Sequence, residues 1–442
     1  MARGIIVFGA SGAGTTTIGK ELARLLGFKH FDLDDYYWQW DTEIPFTVAR
    51  SREERIVKLM NDLESCAFFV LSGSLGMWSE PFIPLFDLAV FVTAPAAVRI
   101  ERLHARELDR FGDRVLLGGD MYEDHKGFLD WAERYDTMEP PERCLKLHEQ
   151  WAARLPCPVM SADGNLSIDI NTTLICEKYK PKLPHDLAKI LGGFNCVKNR
   201  VGCSTAGVYR YYNANEALYL KIARADGDIR REHGLLLWLD GKLPVPSIIY
   251  WREQDGLAYL LLTELPGQMC CKCPEDTVLE PVENTVKLLA NGLLMLQGVD
   301  ISDCPFDNTL DNHLTRALHN IQNGVVDMED WEDSNEFETP MDLYNWLTAN
   351  KPPEDISFTH GDYCLPNVFI DGKEVTGFID VDRGGVADKW QDIALCVRSL
   401  GYNLGEIAQA EKDKCICLLF SCLGLEPNWD KIKYYILLDE LF

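Results

Sequence analysis

Apolar runs in the first third of the chain alternate between strand and helix patterns. Short apolar runs at 4–8, 67–71 and 88–92 have the length of buried strands, and Ile18–Leu26, after the first of them, has helical spacing. Strands that alternate with helices in this way are typical of a parallel sheet covered by helices on both faces. The sequence therefore predicts an α/β fold for the first part of the chain.

The pattern late in the chain predicts a β-hairpin. Val368–Ile370 and Val375–Ile379 are rich in β-branched and aromatic residues, and Asp371-Gly372 between them is a favoured hairpin turn. A hairpin of this length brings its two ends together, so we expect Asn367 and Asp380 to lie side by side.

The residues at the ends of this hairpin suit phosphoryl transfer. Mg²⁺ prefers oxygen ligands of the kind that Asn367 and Asp380 carry, and Asp362 can orient an attacking hydroxyl and accept its proton. Protein kinases use the same spacing from acid to Asn, followed by a second acid. Taken alone, the stretch could also be an ordinary hairpin with polar residues at its ends.

Two upstream segments strengthen the kinase interpretation. Ala217–Ile222 is a strand pattern that contains Lys221, and Glu232 opens the helical run Leu235–Leu239. A strand Lys held by a helix Glu is the device with which kinases grip the α- and β-phosphates of ATP. Leu260–Gly267 then has the pattern of a strand that runs into a hinge, so the parts follow the order that kinases use.

With these parts in place, the chain from about residue 178 to 442 resembles a known family, the aminoglycoside 3'-phosphotransferases. These are kinase-like antibiotic-resistance enzymes, and the chain is most similar to their type III branch. Long matching strings carry the resemblance, at 218–221, 237–246, 300–305, 377–380 and 387–390. It implies an α+β protein-kinase-like fold with a small β-rich lobe and a larger, mainly helical lobe. It also implies ATP and Mg²⁺ as cofactors and the 3'-hydroxyl of kanamycin- or neomycin-type drugs as acceptor.

The resemblance also assigns residues around the nucleotide and the antibiotic. Besides Lys221 and Glu232, it implies nucleotide contacts from Ser204 at the phosphates, Tyr219 at the adenine, and Thr263 and Leu265 in the hinge. It further implies an acidic antibiotic pocket, formed by Glu329, Glu332, Asp439, Glu440 and the carboxylate of Phe442, with Arg383 close to these acids.

Composition narrows the classes of partner. The 442 residues carry 69 acidic against 43 basic side chains, which gives a formal net charge of −26. Nucleic-acid phosphates would be repelled by such a surface, whereas cationic small molecules such as aminoglycosides would be attracted. The 15 cysteines are scattered through expected strands and helices, as in proteins of the reducing cytoplasm. No apolar run reaches the ~18 residues of a membrane span, so we expect no membrane partner.

A glycine-rich loop follows the first predicted strand. Strand, glycine loop and helix in succession are typical of a P-loop, whose backbone N–H groups and helix N-terminus hold phosphates. The phosphate-binding candidates are Gly9, Ser11, Gly12, Gly14, Thr15 and Thr16. Thr15 stands where the motif has lysine, and Thr16 where it has the Mg²⁺-binding hydroxyl. The surrounding sequence resembles the nucleoside-monophosphate and shikimate kinase group.

The missing lysine leaves three interpretations open. They are a nucleotide-binding domain with a modified loop, a small-molecule kinase whose cation comes from elsewhere, and a loop that retains only the fold. An arginine-rich stretch resembles the mobile lid of such kinases and could supply the cation; its members are Arg99, Arg102, Arg106, Arg110 and Arg114. Asp34 is a candidate acceptor contact, with an ordinary helix-start acid as the alternative.

A change in composition predicts a boundary between a P-loop domain at 1–175 and a kinase-like domain at 176–442. The leading hypothesis is ATP-dependent phosphorylation of aminoglycosides, with the first domain as an accessory, and we expect a chain that begins near Tyr179 to remain active. One alternative is a kinase of another amino sugar or small metabolite. A second alternative is a non-catalytic antibiotic-binding or sensing protein whose first domain is a nucleotide switch.

Overall fold

The computed structural model describes residues 2–199, 206–225, 227–272, 277–328, 331, 336–405 and 408–442. The chain divides into two compact units. The first contains Met1–Ala225 together with Arg252–Tyr259, and the second contains Asp226–Trp251 together with Leu260–Phe442. This division by compactness falls later than the domain boundary predicted near residue 175, which stays a prediction.

The first unit is built on a five-stranded parallel sheet in the order β2-β3-β1-β4-β5. Its strands are β1 (Arg3–Gly9), β2 (Lys29–Asp32), β3 (Phe68–Ser72), β4 (Phe86–Thr93) and β5 (Val159–Asp163). The helices of this layer are α1 (Thr15–Leu26), α2 (Leu33–Tyr37), α3 (Arg52–Glu64), α4 (Ala96–Phe111), α5 (Tyr122–Glu133), α6 (Leu145–Ala152) and α7 (Ile168–Lys178). The α/β fold predicted from the apolar runs is confirmed.

The central strand of this sheet positions the glycine loop. Ile5, Ile6, Val7 and Phe8 are all fully buried, because β1 pairs with β3 on one side and β4 on the other and is covered on both faces. Strand order reverses at β1, and open parallel sheets bind ligands beyond the carboxyl ends of strands at such a point. The loop that begins at Gly9 occupies this place.

Antiparallel strands follow the α/β layer. After α8 (His185–Ile190), the strands β6 (Asn195–Lys198), β7 (Gly207–Tyr212) and β8 (Ala217–Arg224) pair in antiparallel ladders within the first unit. With β9 (Ile248–Gln254) and β10 (Leu257–Thr263) they form a second sheet of order β6-β7-β8-β10-β9.

An aromatic cluster packs between the two layers of the first unit. It consists of Phe28, Phe68, Tyr179 and Tyr209, with Lys198 over two of the rings. Phe28 stacks on Phe68 with 4.8 Å between ring centroids, and Tyr179 meets Phe28 edge-on at 5.6 Å. Lys198 Nζ lies 4.5 Å from the centroid of Phe28 and 5.5 Å from that of Tyr209. Tyr179 and Tyr209 are buried, so the α/β layer and strands β6–β8 share one core.

The second unit is mainly helical. Its helices are α9 (Asp228–Leu239), α10 (Val282–Gln297), α11 (Leu310–Gln322), α12 (Pro340–Ala349), α13 (Trp390–Asn403), α14 (Gln409–Leu423) and α15 (Trp429–Asp439). Its short strands are β11 (Gln268–Met269), β12 (Cys271–Lys272), β13 (Thr277–Val278), β14 (Ile356–Thr359), β15 (Val368–Asp371), β16 (Glu374–Phe378) and β17 (Gly385–Asp388), in sheets β11-β15-β16, β12-β13 and β14-β17. No helix among the described residues is both long and apolar enough to cross a membrane.

Candidate active site

The predicted hairpin is present in the second unit and brings its two ends together. β15 pairs antiparallel with β16, with Val368 opposite Phe378 and Asp371 opposite Glu374 at the turn. Beyond the last pair, the N–H of Ile379 donates to the carbonyl of Asn367 over 3.1 Å. The residue before β15 therefore lies beside the chain that leads into Asp380, as the sequence predicts.

The side chain of Asn367 also binds Asp362. Its Nδ2 donates to Asp362 Oδ2 over 2.9 Å and to the Asp362 carbonyl over 3.0 Å. Asn367 is 5% exposed, and Asp362 is half-buried. Because the amide nitrogen is used in this way, the amide oxygen of Asn367 is left as a donor atom for a cation. Acid and amide are thus locked together, five residues apart.

Asp380 has an unusual backbone conformation. Its φ of 56° and ψ of 50° lie in the left-handed region, which non-glycine residues seldom occupy, although Asp and Asn tolerate it better than most. The residue follows β16 and precedes a single 3₁₀ turn at Val381–Arg383. This conformation ends the hairpin abruptly, and strain of this kind is concentrated at functional sites.

Two residues that the sequence analysis did not single out hold the loop. His360 Nε2 donates to the Ile379 carbonyl over 2.8 Å, so Nδ1 is the acceptor for the N–H of Asp362 at 3.3 Å. The buried carboxylate of Asp392 accepts the N–H groups of His360 and Gly361 over 2.6 and 2.9 Å. Burial raises the pKa of Asp392 to about 6, although His360 and both N–H donors act in the opposite direction.

Gly361 between His360 and Asp362 cannot carry a side chain. Its φ is +83°, and an added Cβ would overlap the carbonyl group of Arg383. The loop before Asp362 therefore lies directly against the segment that follows Asp380. This close approach fixes the distance between the two segments by backbone contact rather than by side-chain packing.

The proposed acidic pocket is in part balanced by arginines. Arg383 Nη1 donates to Asp439 Oδ1 over 3.2 Å, and its Nη2 donates to the carbonyl of Phe442 over 3.3 Å. Arg398 binds the other oxygen of Asp439 and lies 3.7 Å from Glu440 Oε1. Asp439 is therefore paired twice in this state. Its role toward an antibiotic stays a prediction, and Glu329 and Glu332 lie outside the described residues.

The residues expected at the nucleotide occupy both units. Tyr219 and Lys221 are half-buried on β8 of the first unit, on the same face of the strand because they are two residues apart. Glu232 is buried in α9 of the second unit. Ser204 lies outside the described residues.

In the predicted hinge, the backbone N–H of Thr263 is not available to bind a nucleotide base. The N–H of Thr263 donates to the Ser247 carbonyl over 3.0 Å, and its hydroxyl accepts the Ser247 N–H over 2.9 Å. The Thr263 N–H is thereby used inside the protein and cannot bind a base without losing this bond. Leu265 packs against Gly377, where a Cβ would overlap its side chain.

The glycine loop of the first unit has the form that the sequence predicts. Gly12 and Gly14 have φ of 79° and 100°; an added Cβ on Gly12 would overlap the carbonyl of Arg99, whereas one on Gly14 would meet nothing within 4 Å. Thr15 begins α1, and the Thr16 hydroxyl donates to Asp32 Oδ2 over 2.8 Å. Ala13 N–H closes the turn onto the carbonyl of Ala10.

Comparison with known proteins agrees with both halves of this description. The model of the phosphotransferase enzyme family matches residues 197–413, and that of an AAA domain matches residues 5–112. Aminoglycoside 3'-phosphotransferases of Enterococcus faecalis and Staphylococcus aureus are 42% and 41% identical over 270 residues, 60% of this chain and 99% of each relative. The crystal structure of an aminoglycoside-3'-phosphotransferase of type VIII matches with a TM-score of 0.51 and 29% identity, over 58% of this chain and 97% of that one.

The fold and the hairpin site together define a kinase-like phosphotransferase joined to a P-loop domain. The chain belongs to the phosphotransferase enzyme family, and it is homologous to the aminoglycoside 3'-phosphotransferases over its C-terminal part.

Proposed function

We propose that the protein transfers the γ-phosphoryl group of ATP to the 3'-hydroxyl of kanamycin- and neomycin-type aminoglycosides. The observation that carries the proposal is the joined pair Asp362 and Asn367 at the mouth of a hairpin that also ends in Asp380. Acid, amide and second acid in this arrangement are what phosphoryl transfer to an alcohol needs. Identity of 42% to an aminoglycoside 3'-phosphotransferase supports the choice of acceptor.

Each of these side chains has a distinct task. Asp362 orients the acceptor hydroxyl and takes its proton, because its second carboxylate oxygen is not engaged by Asn367. Asn367 and Asp380 would hold Mg²⁺, and the donor set fits, since an amide oxygen and a carboxylate are hard oxygen ligands. Bound Mg²⁺ would neutralise charge on the transferring phosphoryl group. Lys221 would grip the α- and β-phosphates, with Glu232 orienting it.

Charge supports an aminoglycoside as acceptor. The formal net charge of −26 attracts a polycationic sugar and repels nucleic acid. Asp439, Glu440 and the carboxylate of Phe442 stand near Arg383 and Arg398, so ammonium groups of the drug would compete with these arginines for the acids. Recognition would then include an exchange of partners at Asp439, and its affinity should fall with ionic strength.

The test is a comparison of steady-state ADP release across acceptors. Kanamycin and neomycin should give the highest kcat/KM, simple hexosamines and homoserine-like alcohols should give little, and an aminoglycoside that lacks the 3'-hydroxyl should give none. NMR of the product should place the phosphate on the 3' oxygen. Equal use of hexosamines would favour the amino-sugar kinase instead, and tight drug binding without ADP release would favour the sensing protein.

A further inference from the structure

The glycine loop of the first unit lacks the cation that such loops use. A P-loop lysine normally reaches the β- and γ-phosphates, and Thr15 occupies its place at the start of α1. Backbone N–H groups and the helix N-terminus remain, but they supply only partial charges. If the loop holds phosphates, a full positive charge has to come from another part of the chain.

Four of the five arginines on and after α4 are already engaged inside the protein. Three of them are paired with acids, since Arg99 binds Asp136 over 2.6 Å, and Arg106 and Arg114 bind Glu107 and Asp120 over 2.8 and 2.7 Å. The guanidinium of Arg102 donates to the carbonyl of Gly164. The expectation that this stretch forms the cationic lid is therefore weakened by its own ion pairs.

Arg143 reaches the loop from a distant part of the unit. It stands just before α6, and its Nη2 donates to the hydroxyl of Ser11 over 2.5 Å, although the two residues are 132 positions apart. The guanidinium carbon lies 4.7 Å from the ring centroid of Trp131, which holds the group in a cation–π contact. The side chain is thus fixed with its charged end at the glycine loop.

The charge of Arg143 is not balanced inside the protein. Its Nε is buried and makes no hydrogen bond, and no acid in the described part of the chain forms an ion pair with it. Burial lowers the pKa of Arg143, and among the acids Asp34 opposes this most strongly without forming an ion pair with it. A desolvated cation with an unused N–H is costly unless an anion completes it, so this guanidinium is suited to bind an anionic ligand.

We propose that Arg143 replaces the P-loop lysine, and that the loop Gly9–Thr16 with Arg143 binds the phosphates of a nucleoside triphosphate. The chain then has a second nucleotide site besides that of the aminoglycoside kinase. The planar guanidinium suits this task, because it can bind two phosphate oxygens at once. Thr16, bonded to Asp32, stands where a hydroxyl would meet the accompanying Mg²⁺. Burial and the neighbouring Asp32 raise the pKa of the Asp34 carboxyl, whereas Arg143 acts to lower it.

The experiment separates the two nucleotide sites within the full-length chain. A Lys221→Ala/Asp380→Ala double variant removes the nucleotide grip of the hairpin site, and calorimetric titration with Mg·ATP then reports the first unit alone. We expect one equivalent of ATP to bind the double variant. Adding Arg143→Met keeps the apolar stem against Trp131 but removes the charge, so the Kd should rise about ten- to hundred-fold, the range expected for a charged hydrogen bond.

Three further variants make the result specific to the charge. Arg143→Lys should recover part of the affinity, and Thr15→Lys placed in the Arg143→Met background should restore it by returning the cation to its usual position. Arg154→Ala, which removes a surface arginine paired with exposed Glu80, should leave the Kd unchanged. Circular dichroism checks that each variant is folded.

Two results would overturn the proposal. One is a double variant that binds no ATP at millimolar concentration. The other is a folded Arg143→Met protein that binds ATP as tightly as its parent. Neither result depends on which acceptor the second unit phosphorylates, because no aminoglycoside is present in the titration.

Discussion

By our two proposals the chain has two sites for phosphate groups, and these sites are built from opposite kinds of side chain. The hairpin site of the second unit brings Asp362 and Asn367 together beside the segment that leads into Asp380, so by our proposal it would reach the transferred phosphoryl group through Mg²⁺, in addition to the direct grip of Lys221 on the other phosphates. The glycine loop of the first unit offers backbone N–H groups and one arginine, so by our inference it binds phosphates directly. An acidic site needs a metal as intermediary, whereas a cationic one does not.

The comparison also separates catalysis from binding. The hairpin site has an acid placed to take a proton, and its geometry is fixed by backbone contacts at Gly361 and by the buried acceptor Asp392. In the glycine loop the cation is held by one hydroxyl and one aromatic ring. Variants that alter one site and leave the other unchanged test most directly whether the two sites have these different roles.

The largest effect is expected at Asp362, the proposed catalytic acid. Asp362→Asn keeps a partner for Asn367 but removes the proton acceptor, so kcat for aminoglycoside-dependent ADP release should fall about 10²- to 10⁴-fold. Binding of ATP by the first unit should not change. Asp371→Asn at the exposed hairpin turn is the matched control and should retain near-normal kcat. Comparable rates for both variants would remove Asp362 from the mechanism.

The next effect concerns the backbone contact that fixes the hairpin site. Gly361→Ala adds a Cβ at φ +83° that overlaps the Arg383 carbonyl, and we expect a loss of about 3 kcal/mol or more in unfolding free energy, together with lost turnover. Gly372→Ala, at φ +60° with nothing within 4 Å, should cost only about 1 kcal/mol. Denaturant unfolding measures both, and equal costs would contradict the role of the close approach.

The third effect tests whether the α/β layer supports strands β6–β8. Tyr179→Ala empties a buried aromatic site against Phe28 and should destabilise the first unit by about 3 kcal/mol. Tyr179→Phe keeps the ring and removes the hydroxyl, whose bond to Asp87 is long at 3.4 Å, so it should cost about 1 kcal/mol, the usual worth of a hydrogen bond. Hydrogen exchange in β6–β8 reports the change, and unaltered exchange in Tyr179→Ala would leave the two layers independent.

The same cluster bears on truncation of the chain. A protein that begins near Tyr179 lacks Phe28 and Phe68 and exposes the ring of Tyr209, which is otherwise buried. We therefore expect it to keep the hairpin chemistry but to unfold at a lower temperature than the full chain, as a thermal melt would report.

The smallest effect is a pH dependence from Asp392. Its folded pKa of about 6 exceeds the ~3.9 of an unfolded Asp, so the native state binds more protons between these values. The contribution of Asp392 to stability is therefore full at low pH and falls as pH rises toward 6. Between pH 5 and 7, the unfolding free energy of the wild type should fall by about 1 kcal/mol relative to Asp392→Asn. Hydrogen exchange in the hairpin measures this, and a constant difference would contradict it.

The sequence predicts what is local and misses what is distant. The hairpin, its turn and the approach of Asn367 to the segment that leads into Asp380 follow from residues a few positions apart, so spacing and β-propensity suffice. The glycine loop was predictable for the same reason. Asp392 was missed because a single acid at the start of a helix usually caps or faces solvent, and nothing local indicates that it binds two N–H groups 31 and 32 residues earlier.

Arg143 was missed for a related reason. The arginines of α4 lie at regular helical spacing and attract attention, whereas Arg143 is an isolated basic residue in a connecting segment. Its meeting with Ser11 depends on how the α/β layer folds as a whole. A useful signal would have been Thr15 at the lysine position of the P-loop. It indicates that a cation comes from elsewhere, so basic residues in the segments that connect later strands and helices become candidates.

The aromatic cluster has a consequence for swapping parts between related enzymes. In a relative of which the 270 matched residues make up 99%, no α/β layer precedes the kinase-like part. A ring in the place of Tyr209 and an ammonium in the place of Lys198 would therefore lack the aromatic partners that this layer supplies here. If this chain's α/β layer were grafted onto such a relative, we expect the two parts to fold independently and not to pack together. A host strand that carries a tyrosine and a lysine in the places of Tyr209 and Lys198 should let the grafted layer pack against it.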